Sequence, residues 1–144
     1  MRFPMFVDLT GKKVLVVGAG NIALRRIRVL LQFGARVTVI APECGNLPEE
    51  VTYLPRPYRP GDLSGFYLAV AATNCREVNH QIFLEAEKAG IPLSAADCRE
   101  ECSFFFPAVC RGENLIAGVV SDGTDHHKTA RAARAIRRTL EELE

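Results

Sequence analysis

Val14-Leu15-Val16-Val17-Gly18-Ala19-Gly20-Asn21-Ile22-Ala23 decides how the rest of the chain is read. A β-branched run that breaks off at glycines reads as a buried strand leaving through a tight turn. Beyond the turn, Ile22, Ala23, Ile27, Leu30 and Leu31 share one helical face, with Arg25, Arg26 and Arg28 largely off it. Gly34 stops that helix, and Arg36-Val37-Thr38-Val39-Ile40 forms a second strand closed by Pro42. A strand, a helix and a strand in so short a span predict a tight βαβ crossover. Gly18 to Ala23 also fit G-x-G-x-x-G/A. In that pattern the first glycine permits the turn and the second lets the backbone approach a pyrophosphate. A small third residue then allows close helix–strand packing. The N–H groups that open the helix face the phosphates. A glycine turn of this kind can also exist without a ligand; its place between a strand and a helix favours binding.

Outward from this unit the same rhythm continues. Val51 to Leu54 reads as a third strand and Tyr67 to Ala72 as a fourth. Val78 to Ala89 is helical, with Ile82, Phe83 and Ala86 inward, and Leu93 to Ala96 is a fifth strand ended by Asp97. Strands alternating with helices predict an α/β, Rossmann-like doubly wound parallel sheet, here over residues 1–107. After Pro107 the pattern changes. Ala108 to Arg111 and Leu115 to Ser121, joined through Gly112-Glu113-Asn114, read as a hairpin. Asp122 to Asp125 can cap a last helix, in which Ala130, Ala133, Ile136, Leu140 and Leu143 form one stripe and Arg131, Arg134, Arg137 and Arg138 lie away from it. Residues 108–144 are thus expected to be a hairpin-plus-helix segment that covers its apolar face on the sheet or on a second copy of the chain.

Composition narrows the function classes. The 144 residues are 48% hydrophobic and 24% charged with a net charge of +1, so no bulk attraction to nucleic acid or a membrane surface is expected. Glu141, Glu142 and Glu144 further oppose reading the arginine-rich helix as a nucleic-acid element. The five cysteines, Cys44, Cys75, Cys98, Cys102 and Cys110, show no zinc spacing and read as reduced thiols of a cytoplasmic protein. Pro4 and Asp8 interrupt any signal-peptide run, and no stretch reaches the roughly 18 apolar residues of a membrane span. His126 and His127 are adjacent, so on a helix they point to different faces and no metal site is expected.

Several segments in order carry a resemblance. Phe3-Pro4-Met5-Phe6-Val7-Asp8-Leu9 and Gly11 to Gly20 are similar to the opening of the precorrin-2 dehydrogenase part of sirohaem synthase. Ala71-Ala72-Thr73-Asn74 with Val78-Asn79, Ala96-Asp97, Cys102-Ser103-Phe104, Phe106-Pro107-Ala108-Val109 and Ser121-Asp122-Gly123-Thr124 extend the likeness along the chain. The family oxidises precorrin-2 to sirohydrochlorin with NAD, and many members then insert ferrous iron. The resemblance implies a homodimer joined through the hairpin and last helix. It also makes Asp97 the active-site carboxylate, where the residues alone would more often give a loop-capping aspartate.

The cofactor would be held at Gly18, Gly20, Asn21, Ile22, Pro42 and Glu43, with Thr73 near its nicotinamide end. The acid that usually ends the second strand and bonds the ribose is replaced by Ile40 and Ala41, with Glu43 following, and no arginine follows to mark NADP. Ser121 matches a substrate-cavity serine, or its hydroxyl satisfies a strand end. Arg99, Lys128, Arg111 and Arg131 are candidates for the carboxylates of the tetrapyrrole. Where relatives continue into Ser-Pro, this chain has Asp125-His126-His127-Lys128. A module that binds NAD(H) or a tetrapyrrole without turnover is the alternative.

Overall fold

The computed structural model describes residues 1–143. Five strands, β1 (Lys13–Val17), β2 (Arg36–Ile40), β3 (Thr52–Leu54), β4 (Leu68–Ala71) and β5 (Leu93–Ala95), form one sheet of order β3-β2-β1-β4-β5. Every pairing in it is parallel, with Val17 level with Ile40 on one side and Ala71 on the other. The Rossmann-like α/β expectation therefore holds. Val14, Leu15 and Val16 have no exposed surface, because the central strand is covered on both faces; this is why it reads as a continuous apolar run.

Helix α1 (Asn21–Gln32) links β1 to β2, and α2 (Arg76–Ala89) links β4 to β5. These crossovers run toward opposite edges of the sheet. Because such connections are right-handed, the two helices cover opposite faces. Ile82 and Ala86 of α2 pack with Leu15, Val17, Ala69, Ala71 and Leu93. On α1 the buried positions are Ala23, Ile27 and Leu30, a narrower stripe than periodicity suggests. Ile22 is half exposed because it sits in the first turn, at the glycine corner rather than over the strands. Helix α2 starts two residues before the first apolar position, Val78, since Arg76 and Glu77 make a polar, exposed first turn.

Two compact units are present: Val7–Phe104, which carries the sheet, and a second in which Met1–Phe6 join the residues from Phe105 onward. Within the second, the Arg2 guanidinium lies 3.8 Å from the centre of the Phe105 ring and donates to the Ser121 carbonyl. Strands β6 (Ala108–Arg111) and β7 (Ile116–Val119) pair antiparallel, followed by α3 (His126–Glu142). Cys110, Ala133 and Leu140 form its small core with Ile136 against them. Ala130 and Leu143 of the expected stripe are exposed. Strand β7 ends before Ser121 because the chain turns there: the Ser121 hydroxyl accepts the Gly123 N–H at 3.1 Å, and Asp122 accepts that of Thr124 at 3.0 Å. Asp125 caps α3 by accepting the Lys128 N–H at 2.9 Å. Among the described residues no helix is long and apolar enough to cross a membrane.

Candidate functional site

Opposed crossovers from β1 and β4 leave a crevice at the carboxyl edge of the sheet, where open α/β sheets take ligands. The cleft here has a volume of about 690 Å³, within the range of small-molecule sites. Its floor is the turn Gly18–Gly20, with Pro42, Glu43 and Cys44 on one side and Thr73, Asn74 and Cys75 on the other. The two glycines do different work. Gly18 has φ +112°, and a Cβ there would lie 2.3 Å from the Ala72 carbonyl oxygen, so the fold itself requires it. Gly20 has φ −76°, and a Cβ would meet nothing within 4 Å. Packing does not explain Gly20, and the space beside it is open. Gly20 is also the N-cap of α1 and no side chain caps that helix, so its first N–H groups are left for a phosphate. These residues fit a dinucleotide.

The bend after β2 is fixed from β3. The Tyr53 hydroxyl donates to the Ala41 carbonyl at 2.9 Å, and the Ala41 N–H reaches Leu54 O at 3.3 Å. Burial, reinforced by Cys44 and Glu43, raises the Tyr53 phenol above its usual range, so it remains a donor at neutral pH. Pro57 and Tyr58 close this side of the cleft. Their loop is tied by Arg56, whose guanidinium donates to both oxygens of Asp62 at 2.7 and 2.9 Å. That hydrogen bonding, against a smaller opposing effect of burial, holds the Asp62 carboxyl below its ordinary value. A depressed folded-state value means the contribution is complete above about pH 4 and is lost as pH falls through the folded value. Denaturation midpoints between pH 5 and 2 should therefore fall less steeply in Arg56→Gln than in the parent chain.

The opposite lip depends on a residue that periodicity does not flag. Asn79, on the inner face of α2, has no exposed surface. Its Oδ1 accepts the Thr73 N–H at 3.2 Å and the Thr73 hydroxyl at 2.6 Å, and its Nδ2 donates to the Thr73 carbonyl at 3.1 Å. The Thr73 hydroxyl in turn accepts the Cys75 N–H at 3.2 Å. One buried amide thus shapes the whole turn after β4. A polar residue at an inward helical position was the available signal. Asn79→Ala should cost about 1–3 kcal/mol, because it strands the Thr73 backbone groups. Urea midpoints would measure this, and dinucleotide affinity should fall with it.

Asp97 lies two residues beyond β5, exposed, on the same carboxyl edge as Gly18 and Thr73. Arg76, in the first turn of α2, places Nη1 2.8 Å from Asp97 Oδ1 in an ion pair and donates from Nη2 to Glu101 Oε2. His80 Nδ1 lies 2.6 Å from Glu101 Oε1. Desolvation works against the Arg76 charge, but Asp97 and then Glu101 outweigh it and hold the guanidinium above its usual range. Among the described residues no three His, Cys, Asp or Glu side chains gather to hold a metal ion.

Residues 5–108, which span the whole sheet and its glycine turn, match the family described as "Putative NAD(P)-binding". The chain belongs to that family. It is 44% identical over 137 residues to the "Probable multifunctional siroheme biosynthesis protein HemA" of Ruminiclostridium josui, covering 91% of this chain and 27% of that one. It is 41% identical over 138 residues to the "Siroheme synthase" of Azotobacter vinelandii, covering 92% and 30% respectively. The chain therefore spans less than a third of the length of these relatives. Of the solved structures, "SirC, precorrin-2 dehydrogenase" superposes with a TM-score of 0.76 at 26% identity, over 96% of this chain and 71% of that one.

For this NAD(P)-binding chain, the predicted site residues fall into three groups. Gly18, Gly20, Pro42, Glu43 and Thr73 line the cleft together. Asn21 and Ile22 are not in its lining; they open α1, where the backbone N–H groups rather than the side chains point to a ligand role. Asp97 and Arg99 follow β5, with Arg99 exposed in a short 3₁₀ turn, Arg99–Glu101. Ser121 and Lys128 share a shallow groove of the second unit, at the start of α3, with Asp122 and Asp125. Arg76 and Asn79 are the additions that folding makes visible.

Proposed function

We propose that this chain oxidises precorrin-2 to sirohydrochlorin with NAD, and that Asp97 takes the proton. The observation that carries the reading is the cleft: a glycine turn open at Gly20 and an uncapped helix start, on a fold like that of a precorrin-2 dehydrogenase. When bound, NAD accepts a hydride, so that the macrocycle loses two electrons and one hydrogen to it. The second hydrogen leaves as a proton, for which a carboxylate at the carboxyl edge of the sheet is a suitable base. The glycine turn would hold the pyrophosphate, Glu43 the adenosine ribose, and the Thr73 loop the nicotinamide end. Among the described residues the cleft lining contains Glu43 and no lysine or arginine, which suits a free ribose hydroxyl and disfavours a 2′-phosphate. Arg99, Ser121 and Lys128 are the proposed contacts to the carboxylates of the substrate.

We place the working form in the cytoplasm as a homodimer. Leu115, Ile116, Val120 and Leu143 of the second unit, with Met1, Phe3, Met5 and Phe6, are exposed apolar side chains that a second copy would cover. Light scattering on the purified chain should give twice the monomer mass. The activity is tested by an anaerobic assay with precorrin-2 and NAD, following NADH and the product spectrum, with NADP in parallel. NADH appearing with a sirohydrochlorin spectrum, and little turnover with NADP, is the expected result. A folded protein that binds NAD and turns over with neither cofactor would instead be a binding module.

A further inference from the structure

Four charged or titratable side chains from three places in the chain meet beside the Thr73 lip. Arg76 and His80, one turn apart on α2, share a face, and both reach Glu101 at the end of the 3₁₀ turn. Glu101 is the most shielded of the four, its side chain 13% exposed against 35% for Asp97, 42% for Arg76 and 51% for His80. It is therefore the fixed point. One Glu101 oxygen faces His80 and the other holds Arg76, so the guanidinium is pinned on the side away from Asp97.

The form of the Arg76–Asp97 contact matters chemically. A guanidinium facing one carboxylate usually engages both oxygens. Here its two terminal nitrogens are split between two carboxylates: Nη2 donates to Glu101, while Nη1 forms an ion pair with Asp97 at Oδ1. Among the described residues neither oxygen of Asp97 accepts a hydrogen bond, so the ion pair with Arg76 is the contact that orients it. The adjoining residue, Cys75, lines the cleft and is the N-cap of α2, which sets the pair immediately beside the cofactor end of the site.

We propose that Arg76 is the positioning residue for Asp97: pinned by Glu101, it orients the carboxylate through an ion pair and leaves its oxygens uncapped to take the substrate proton. The inference rests on the reading of Asp97 as the reacting base. Arg76 is held above its usual range by the same two carboxylates, so it stays charged throughout the working pH range. The arrangement aims the carboxylate without capping it. It also gives a role to Glu101, through the oxygen that holds Arg76.

The test is a steady-state comparison of Arg76→Gln, Arg76→Lys, Glu101→Gln and Asp97→Asn in the 144-residue chain with precorrin-2 and NAD. NAD affinity by fluorescence quenching and thermal midpoints are measured alongside. A misaimed catalytic group costs up to about 100-fold, so Arg76→Gln should lose roughly 10- to 100-fold in kcat, with KM for both substrates and NAD affinity unchanged. Arg76→Lys should recover part of this, since lysine keeps the charge beside Asp97 but cannot span two carboxylates. Glu101→Gln should fall in the same direction. Arg76→Gln with the parental kcat overturns the proposal. So does a rise in KM for precorrin-2 alone, which would make Arg76 a substrate contact. Asp97→Asn turning over at the parental rate would place the failure in the reading of Asp97 itself.

Discussion

Gly18→Ala should lose both the fold's stability and its dinucleotide, whereas Gly20→Ala should lose only the dinucleotide. At Gly18 the new methyl would sit 2.3 Å from the Ala72 carbonyl oxygen and 2.7 Å from its carbon, and neither atom can move without pulling β4 off β1. The backbone there also has φ +112°, where an L-residue is strained. Strain and overpacking together are expected to cost about 3–5 kcal/mol, a large part of the stability of a domain this size. At Gly20 a methyl touches no protein atom and φ is ordinary, so the thermal midpoint should be close to parental. The methyl would instead occupy space beside the first N–H groups of α1, and NAD affinity should drop by at least about tenfold, or 1.4 kcal/mol. Thermal unfolding and fluorescence titration on the pair separate the two roles. Equal loss of stability in both variants would refute the division.

The second large effect is expected at Asp97. Asp97→Asn keeps the size and an oxygen toward Arg76 but removes the carboxylate charge that accepts the proton. General-base catalysis is worth roughly 100- to 10,000-fold, and the kcat of NADH formation should fall by that factor. NAD affinity and the thermal midpoint should stay near parental, since Asp97 is exposed and is absent from the cleft lining. Loss of stability in place of turnover would show Asp97 to be a loop residue.

The sheet was readable from the sequence because parallel strands covered on both faces are written as unbroken apolar runs, as at Val14 to Val17 and Leu68 to Ala71. The glycine turn was readable because its requirement is local: one residue, one backbone conformation, one clash. Strand and helix ends were less legible. Helix α2 begins on Arg76 and Glu77, which carry no apolar signal, and β7 stops short because hydroxyl and carboxylate groups at Ser121 and Asp122 turn the backbone. Arg76 was out of reach for another reason, and Asn79 showed only as a polar residue at an inward helical position. Their partners, Thr73 in one case and Asp97 with Glu101 in the other, come together only when loops from different strands converge at one edge. Ile22 shows the reverse error, where a periodic pattern continues past the point at which there is a sheet to cover.

The contact between Gly18 and Ala72 has a consequence for the order of assembly. During synthesis the glycine turn and α1 exist long before residue 72 is added, yet the corner is shaped only when Ala72 donates to the Val17 carbonyl at 2.8 Å and closes over Gly18. Loop closure across more than fifty residues is slow relative to local helix formation. The nucleotide cradle thus cannot be completed before β4 joins the sheet. A nascent chain cut before β4 is expected to carry the complete fingerprint and hold no dinucleotide, so nucleotide capture would report that β4 is in place.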